Sequence, residues 1–243
     1  MTSGTAIIIT GALAGGFVSG LTGFGTGMTA LVLWLHVLPA MVAGPLVVIC
    51  SVAGQLIALP SIWHAVDVKR LLPFVIPGLI GIPLGTWLLT WVALTPFKFW
   101  VGAVIAFYSA IILLGHFRPT IAWGGRFADG IVGWAGGVLG GLAGLSGLLP
   151  TIWASVRGWG KDERRAVFQG FNLTILGATL IAHAAAGLLT PDVGHAALIA
   201  LPGTLAGSAL GQHIYRRLDD HRFDRVVLAF LGVAGALLMW SGI

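Results

Sequence analysis

The run AGGFVSGLTGFG at residues 14–25 returns as AGGVLGGLAGLS at residues 135–146, with six of twelve positions identical and four of those glycine. Both copies lie inside strongly apolar stretches. A glycine cluster costs about 1 kcal/mol per residue in a helix interior, so each copy marks an expected break in its helix. The chain therefore reads as a duplicated architecture in which each half carries one interrupted segment. Interrupted apolar segments at corresponding places in two halves are the best sequence pointer to a transporter's binding site.

Composition fixes the solvent. The chain is 57% hydrophobic and only 9% charged, with a mean hydropathy of +0.98. Soluble domains carry roughly 25% charged residues, so lipid must be the main surroundings here. The net charge of +5 sits in short loops between apolar stretches, where it sets orientation; no nucleic-acid partner is expected. A single cysteine, Cys50, excludes an internal disulfide and a cysteine-rich metal site.

Eight apolar segments follow one another, at about 5–35, 37–61, 72–92, 97–115, 129–156, 166–189, 194–215 and 224–242. The expected fold is an all-α polytopic membrane protein. Its halves are an N-terminal repeat at 1–116 and a C-terminal repeat at 128–243, joined by a loop at 117–127. Segments 1 and 5 are too long for a simple span. Thirty-one residues of helix run about 46 Å against a hydrocarbon core of about 30 Å. The spacings Gly81–Gly85 and Gly203–Gly207–Gly211 in the third elements suit close helix packing.

Charge placement chooses between two topologies. If all eight segments cross, nine Lys and Arg share one side and four the other. If segments 1 and 5 dip in and return, only Lys98 stands opposite the remaining twelve. Cytoplasmic loops are the basic ones, which favours two broken or re-entrant segments, six crossings and inverted repeats. Eight crossings in parallel repeats is the other arrangement.

A re-entrant tip presents uncapped amide hydrogens and the positive end of a helix dipole to the membrane midplane. Glycine lets a solute approach the backbone, and hydroxyls add donors. The candidate binding residues are accordingly Thr22, Gly23, Phe24, Gly25, Thr26 and Gly27 in the first tip, and Gly144, Leu145, Ser146 and Gly147 in the second. Ser51 in segment 2, with Gln169 and Asn172 in segment 6, extends the set; Ser51 and Asn172 share the 121-residue offset of the glycine repeat. Two such tips make an anion site without a buried Lys or Arg. Close helix packing alone is the competing account of the glycines, and interhelical bonding that of the polar side chains. His183 is the one ionisable side chain deep in an apolar segment. It is a candidate proton carrier, or else a neutral histidine bonded to another helix. All eight Asp and Glu fall at segment ends or in loops.

The run GGLAGLSGLLPTIW at 140–153 is similar to the glycine-rich signature of the TauE/SafE family of sulfite exporters. KDERRAVFQGFN and the apolar helix after it resemble that family's next element. GLTGFGTGMTALVLW looks like the N-terminal copy, with Phe24 and Thr26 interrupting its glycines and Ala30 where the pattern has proline. The resemblance covers essentially the whole chain. It implies a multi-pass protein of the bacterial inner membrane that exports small sulfur-containing anions, sulfite or organosulfonates; the mechanism expected from the two tips is alternating access. It implies no cofactor and no metal; its partners would be the anion and the lipid bilayer, and a homodimer is compatible with it. Two other classes stay open. A passive anion channel would conduct without saturable exchange. An intramembrane enzyme is the weaker reading, since HExxH, GxSxG and a buried aspartate pair are all missing, and the expectation is a non-enzyme.

Overall fold

A computed structural model describes residues 3–61, 63–88, 123–143 and 146–240, together with 99, 102–103, 106–107 and 109–110. Most of the fourth apolar segment, most of the loop expected at 117–127, and Gly144 and Leu145 lie outside the described residues. Among those described, the regular structure is helical and no strand occurs.

The helices are α1 (Ser3–Thr22), α2 (Thr26–Trp34), α3 (Ala40–Ala58), α4 (Val68–Leu88), α5 (Gly125–Ala143), α6 (Leu148–Val156), α7 (Lys161–Ala185), α8 (Pro191–Tyr215) and α9 (Asp220–Trp240). Two short 3-10 turns, Leu59–Ser61 and Trp63–Ala65, link α3 to α4. Among the described residues five helices are long and apolar enough to cross a membrane: Gly4–Thr22, Met41–Ala58, Val68–Gly85, Asp162–Ala185 and Pro191–Tyr215. Helices α4 and α8 carry internal prolines, Pro73, Pro77, Pro83 and Pro202. Membrane helices tolerate these because neighbouring helices satisfy the freed backbone groups. Local chemistry sets several helix starts. Thr190 caps α8 by accepting the Val193 amide, with Pro191 in the first turn. Ahead of α9, the exposed Asp219 carboxylate accepts the Arg222 amide at 2.7 Å, which holds its pKa below the usual range.

Helices α3 and α7 occupy the centre. Helix α3 packs on α1, α2, α7 and α8, while α7 packs on α3, α4, α5, α6 and α9. Among the described helices the two most extensive pairings are α1 with α8 and α4 with α5. Glycine makes both seams close. A Cβ on Gly16 or Gly20 of α1 would run into the backbone of Thr204 or Ser208 in α8. One on Gly207 or Gly211 would meet Leu13 or Phe17. Gly133 and Gly137 of α5 stand in the same relation to Phe74 and Gly78 of α4. Of the small residues noted in the third elements, Gly81, Gly203, Gly207 and Gly211 thus lie against the backbone of a neighbouring helix.

Three buried clusters fill the spaces between helices. One gathers Ala12, Trp34, Leu46 and Ala200; the second Phe24, Phe168, Tyr215, Phe223 and Leu231; the third Phe74, Phe171 and Ile175. Trp34 is fully buried, and its Nε1 donates to the Ile8 carbonyl at 3.0 Å, tying α2 back onto α1. Trp34→Phe removes that donor and part of the ring. It should lower stability by about 1–3 kcal/mol, read as a drop in thermal midpoint in detergent.

Candidate functional site

Helix α1 stops at Thr22 and α2 starts at Thr26, with Gly23 at φ 88° and Gly25 at φ 92°. Both angles lie in the left-handed region, which a side chain disfavours, so glycine is required at these two positions. The Thr22 hydroxyl lies 2.9 Å from both the Val18 and the Phe24 carbonyl oxygens and holds the turn closed. The first bond of α2 runs from Thr29 N to Gly25 O at 3.1 Å, so the amides ahead of it have no intrahelical acceptor. The Thr29 hydroxyl donates to the same carbonyl at 3.0 Å. At the start of α6, Thr151 repeats the pattern on the Gly147 carbonyl, with N at 3.1 Å and Oγ1 at 2.6 Å.

The two helix starts share one cavity of about 200 Å³. Its walls are Phe24, Gly25, Thr26, Gly27, Met28 and Leu31 of the first turn and α2; Gly44, Val47, Val48 and Ser51 of α3; Gly140, Gly141 and Gly147; and Asn172, Leu176, Thr179 and His183 of α7. At about 30 Å³ per water, the volume suits a small oxyanion with part of its hydration, and not a nucleotide. The two starts touch: a Cβ on Gly147 would stand 3.1 Å from that of Phe24. Among the described residues no Lys, Arg, Asp or Glu lines the cavity, and the helix N-termini of α2 and α6 set its field. Thr26 is 2% exposed, and its Oγ1 has no protein partner among the described residues.

Of the residues singled out in the sequence, Phe24, Gly25, Thr26, Gly27, Ser51, Gly147 and Asn172 meet at this cavity, and His183 lies towards one end of it. Ser146 is buried and gives its hydroxyl hydrogen to Asn172 Oδ1, so it orients Asn172 and has no proton left for a solute. Thr22 and Gly23 shape the turn and do not line the space. Gln169 sits beyond the cavity floor, where its Nε2 donates to the Gln55 carbonyl at 3.1 Å.

Reasoning from sequence missed the arginines. Arg165 is fully buried and Arg164 is 5% exposed, although both fall in a basic cluster that reads as loop. Arg165 Nη2 donates to the Gly20 carbonyl at 2.5 Å, near the C-terminal end of α1, and its guanidinium lies 3.7 Å from the Tyr215 ring centroid. Arg164 pairs with Asp224, and Tyr215 donates to Asp162. Arg157 lies 3.7 Å from Asp129, which also accepts Trp153 Nε1 at 2.7 Å. The acids at segment ends thus knit α5 to α9 together at the basic end. A sequence signal did exist. Residues 165, 169, 172, 176, 179 and 183 recur at helical spacing and form one face of α7, with Arg165 and Gln169 continuing the cavity-lining stripe.

Several apolar helices around a small, donor-lined, carboxylate-free cavity make a multi-pass membrane protein of the transporter class. Over residues 7–238 the chain matches the family described as Sulfite exporter TauE/SafE, and it belongs to that family. No curated protein and no solved structure matches it. The family's members export sulfite and related anions, and they are transporters rather than enzymes.

Proposed function

We propose that this protein exports a small sulfur oxyanion, sulfite or an organosulfonate, across the bacterial inner membrane by alternating access at the cavity between the starts of α2 and α6. Helices α1–α2 and α5–α6 act as re-entrant hairpins. The repeats 1–116 and 128–243 are inverted and rock about the site. The basic loops face the cytoplasm, where the rule for Lys and Arg puts them. The anion is held by the amides of Thr26, Gly27 and Leu148, by the Thr26 hydroxyl, and by Ser51 and Asn172. In this conformation the cavity runs towards the C-terminal end of α7, at His183, which is the end away from Arg165.

The observation that supports the reading is the convergence of two helix starts without side-chain caps on one cavity that no described carboxylate lines. An anion there gains from both dipoles and meets no like charge. The test is thermal stabilisation of the purified protein by sulfite, sulfate and organosulfonates, followed by flux in proteoliposomes. A bound anion at about 100 times its Kd stabilises by about 2.7 kcal/mol, a shift of several degrees. Flux should saturate and show counterflow. A steady current without saturation would mean a channel, and the absence of any stabilisation or flux would remove the transporter reading altogether.

A further inference from the structure

The polar stripes of α3 and α7 do not end at the cavity floor. Beyond Ser51 and Asn172 they continue to Gln55 and to Gln169 and Arg165, outside the lining of the cavity. Gln55 and Gln169 are 1% and 0% exposed, and the two are tied by the Gln169 Nε2 bond to the Gln55 carbonyl. Among the described residues, Gln169 Oε1, both polar atoms of the Gln55 side chain, and Nε and Nη1 of Arg165 have no protein partner. The same holds for Ser19 Oγ, next to the Gly20 carbonyl that Arg165 reaches. Burying so many unpaired polar atoms at the closed end of the path is costly, unless another state of the protein gives them a ligand.

The first tip separates this cluster from the cavity. Phe24 lines the cavity and packs edge-on against Phe168 and Phe230, with ring centroids 5.8 and 5.5 Å away. A Cβ on the neighbouring Gly23 would stand 3.0 Å from Phe168 and 3.2 Å from Arg165 Cγ. The turn thus has the donor-lined cavity on one side and a guanidinium on the other.

We propose that Arg165, Gln169, Gln55 and Ser19 form a second oxyanion station on the basic side of the α1–α2 turn, occupied in the state open to that side. The proposal rests on the transporter reading above and adds the loading site. The Arg165 guanidinium and the amide donors of Gln55 and Gln169 suit a sulfur oxyanion.

The test uses the full chain, purified and reconstituted, with sulfite as probe. Gln55→Leu and Arg165→Lys are compared with wild type for thermal stabilisation by sulfite, which reads the cavity, and for sulfite counterflow, which needs both ends. Both variants should keep sulfite stabilisation within about twofold and lose counterflow by more than tenfold. Gln55→Leu carries the result if Arg165→Lys does not fold, because the Gln55 side chain makes no bond to lose. A purely structural role predicts that Gln55→Leu is as stable as wild type and transports as fast, and that outcome overturns the station while leaving the cavity intact. Wild-type protein that neither binds nor moves sulfite overturns the transporter reading and the station together.

Discussion

Thr26→Val should weaken sulfite binding by about 10- to 150-fold while leaving the unliganded protein as stable as wild type, or more so. Valine keeps the shape of threonine and removes one hydroxyl. That hydroxyl is buried at the start of α2, lines the cavity and has no protein partner. A hydrogen bond to a charged group contributes about 1.5–3 kcal/mol, and each 1.4 kcal/mol is tenfold in affinity. A buried hydroxyl without a partner costs about 1–3 kcal/mol, so its removal does not destabilise the empty site. The measurement is the sulfite concentration at half-maximal thermal stabilisation, with the unliganded midpoint as its own control. An unchanged half-maximal concentration would take Thr26 out of the site. Thr26→Leu adds bulk to a space of only about 200 Å³ and should abolish the stabilisation.

Gly207→Leu should cost more than any cavity substitution, with loss of a monodisperse folded species in detergent or a fall in thermal midpoint of roughly 10 °C. Gly207 faces the backbone of α1. Its added Cβ would stand 2.8 Å from Phe17 N and closer still to the Leu13 carbonyl, and neither is the end of a flexible side chain. The helices must separate, and Gly203 and Gly211 on the same face lose their contacts with them. Gly194→Ala, in the first turns of the same helix, meets nothing within 4 Å and serves as control. It should be neutral or slightly stabilising, since alanine is the better helix former. Equal behaviour of the two variants would show that the α1–α8 seam does not depend on glycine.

The helix boundary between Thr22 and Thr26 was legible because glycine clusters are costly in helices and one had been written twice. Gly25 and Thr26 stand where the repeat points. The equivalence between tips was legible only to within a residue. The sequence repeat sets Gly25 against Ser146, an offset of 121, whereas the carbonyl that takes both the amide and the hydroxyl of a threonine is Gly25 in one tip and Gly147 in the other, 147 − 25 = 122. Hydrogen bonding distinguishes these registers and residue identity does not. Ser146 illustrates the same limit. Its hydroxyl reads as a donor for a solute, but Asn172 Oδ1 lies close enough to accept its hydrogen bond.

Apolar length and glycine placement were enough to determine the membrane setting and the all-helical class, because both follow from local composition and order along the chain, while the family was legible only through the resemblance of its motifs. The burial of Arg165 was decided only by tertiary structure. In KDERR it is one cation among several at a helix start, and it becomes an interior charge because the end of α1, arriving from 145 residues away, sets the Gly20 carbonyl against it. The cavity was decided in the same way, since two helix starts far apart in the chain face one another only after α3 and α7 have packed between the outer helix pairs.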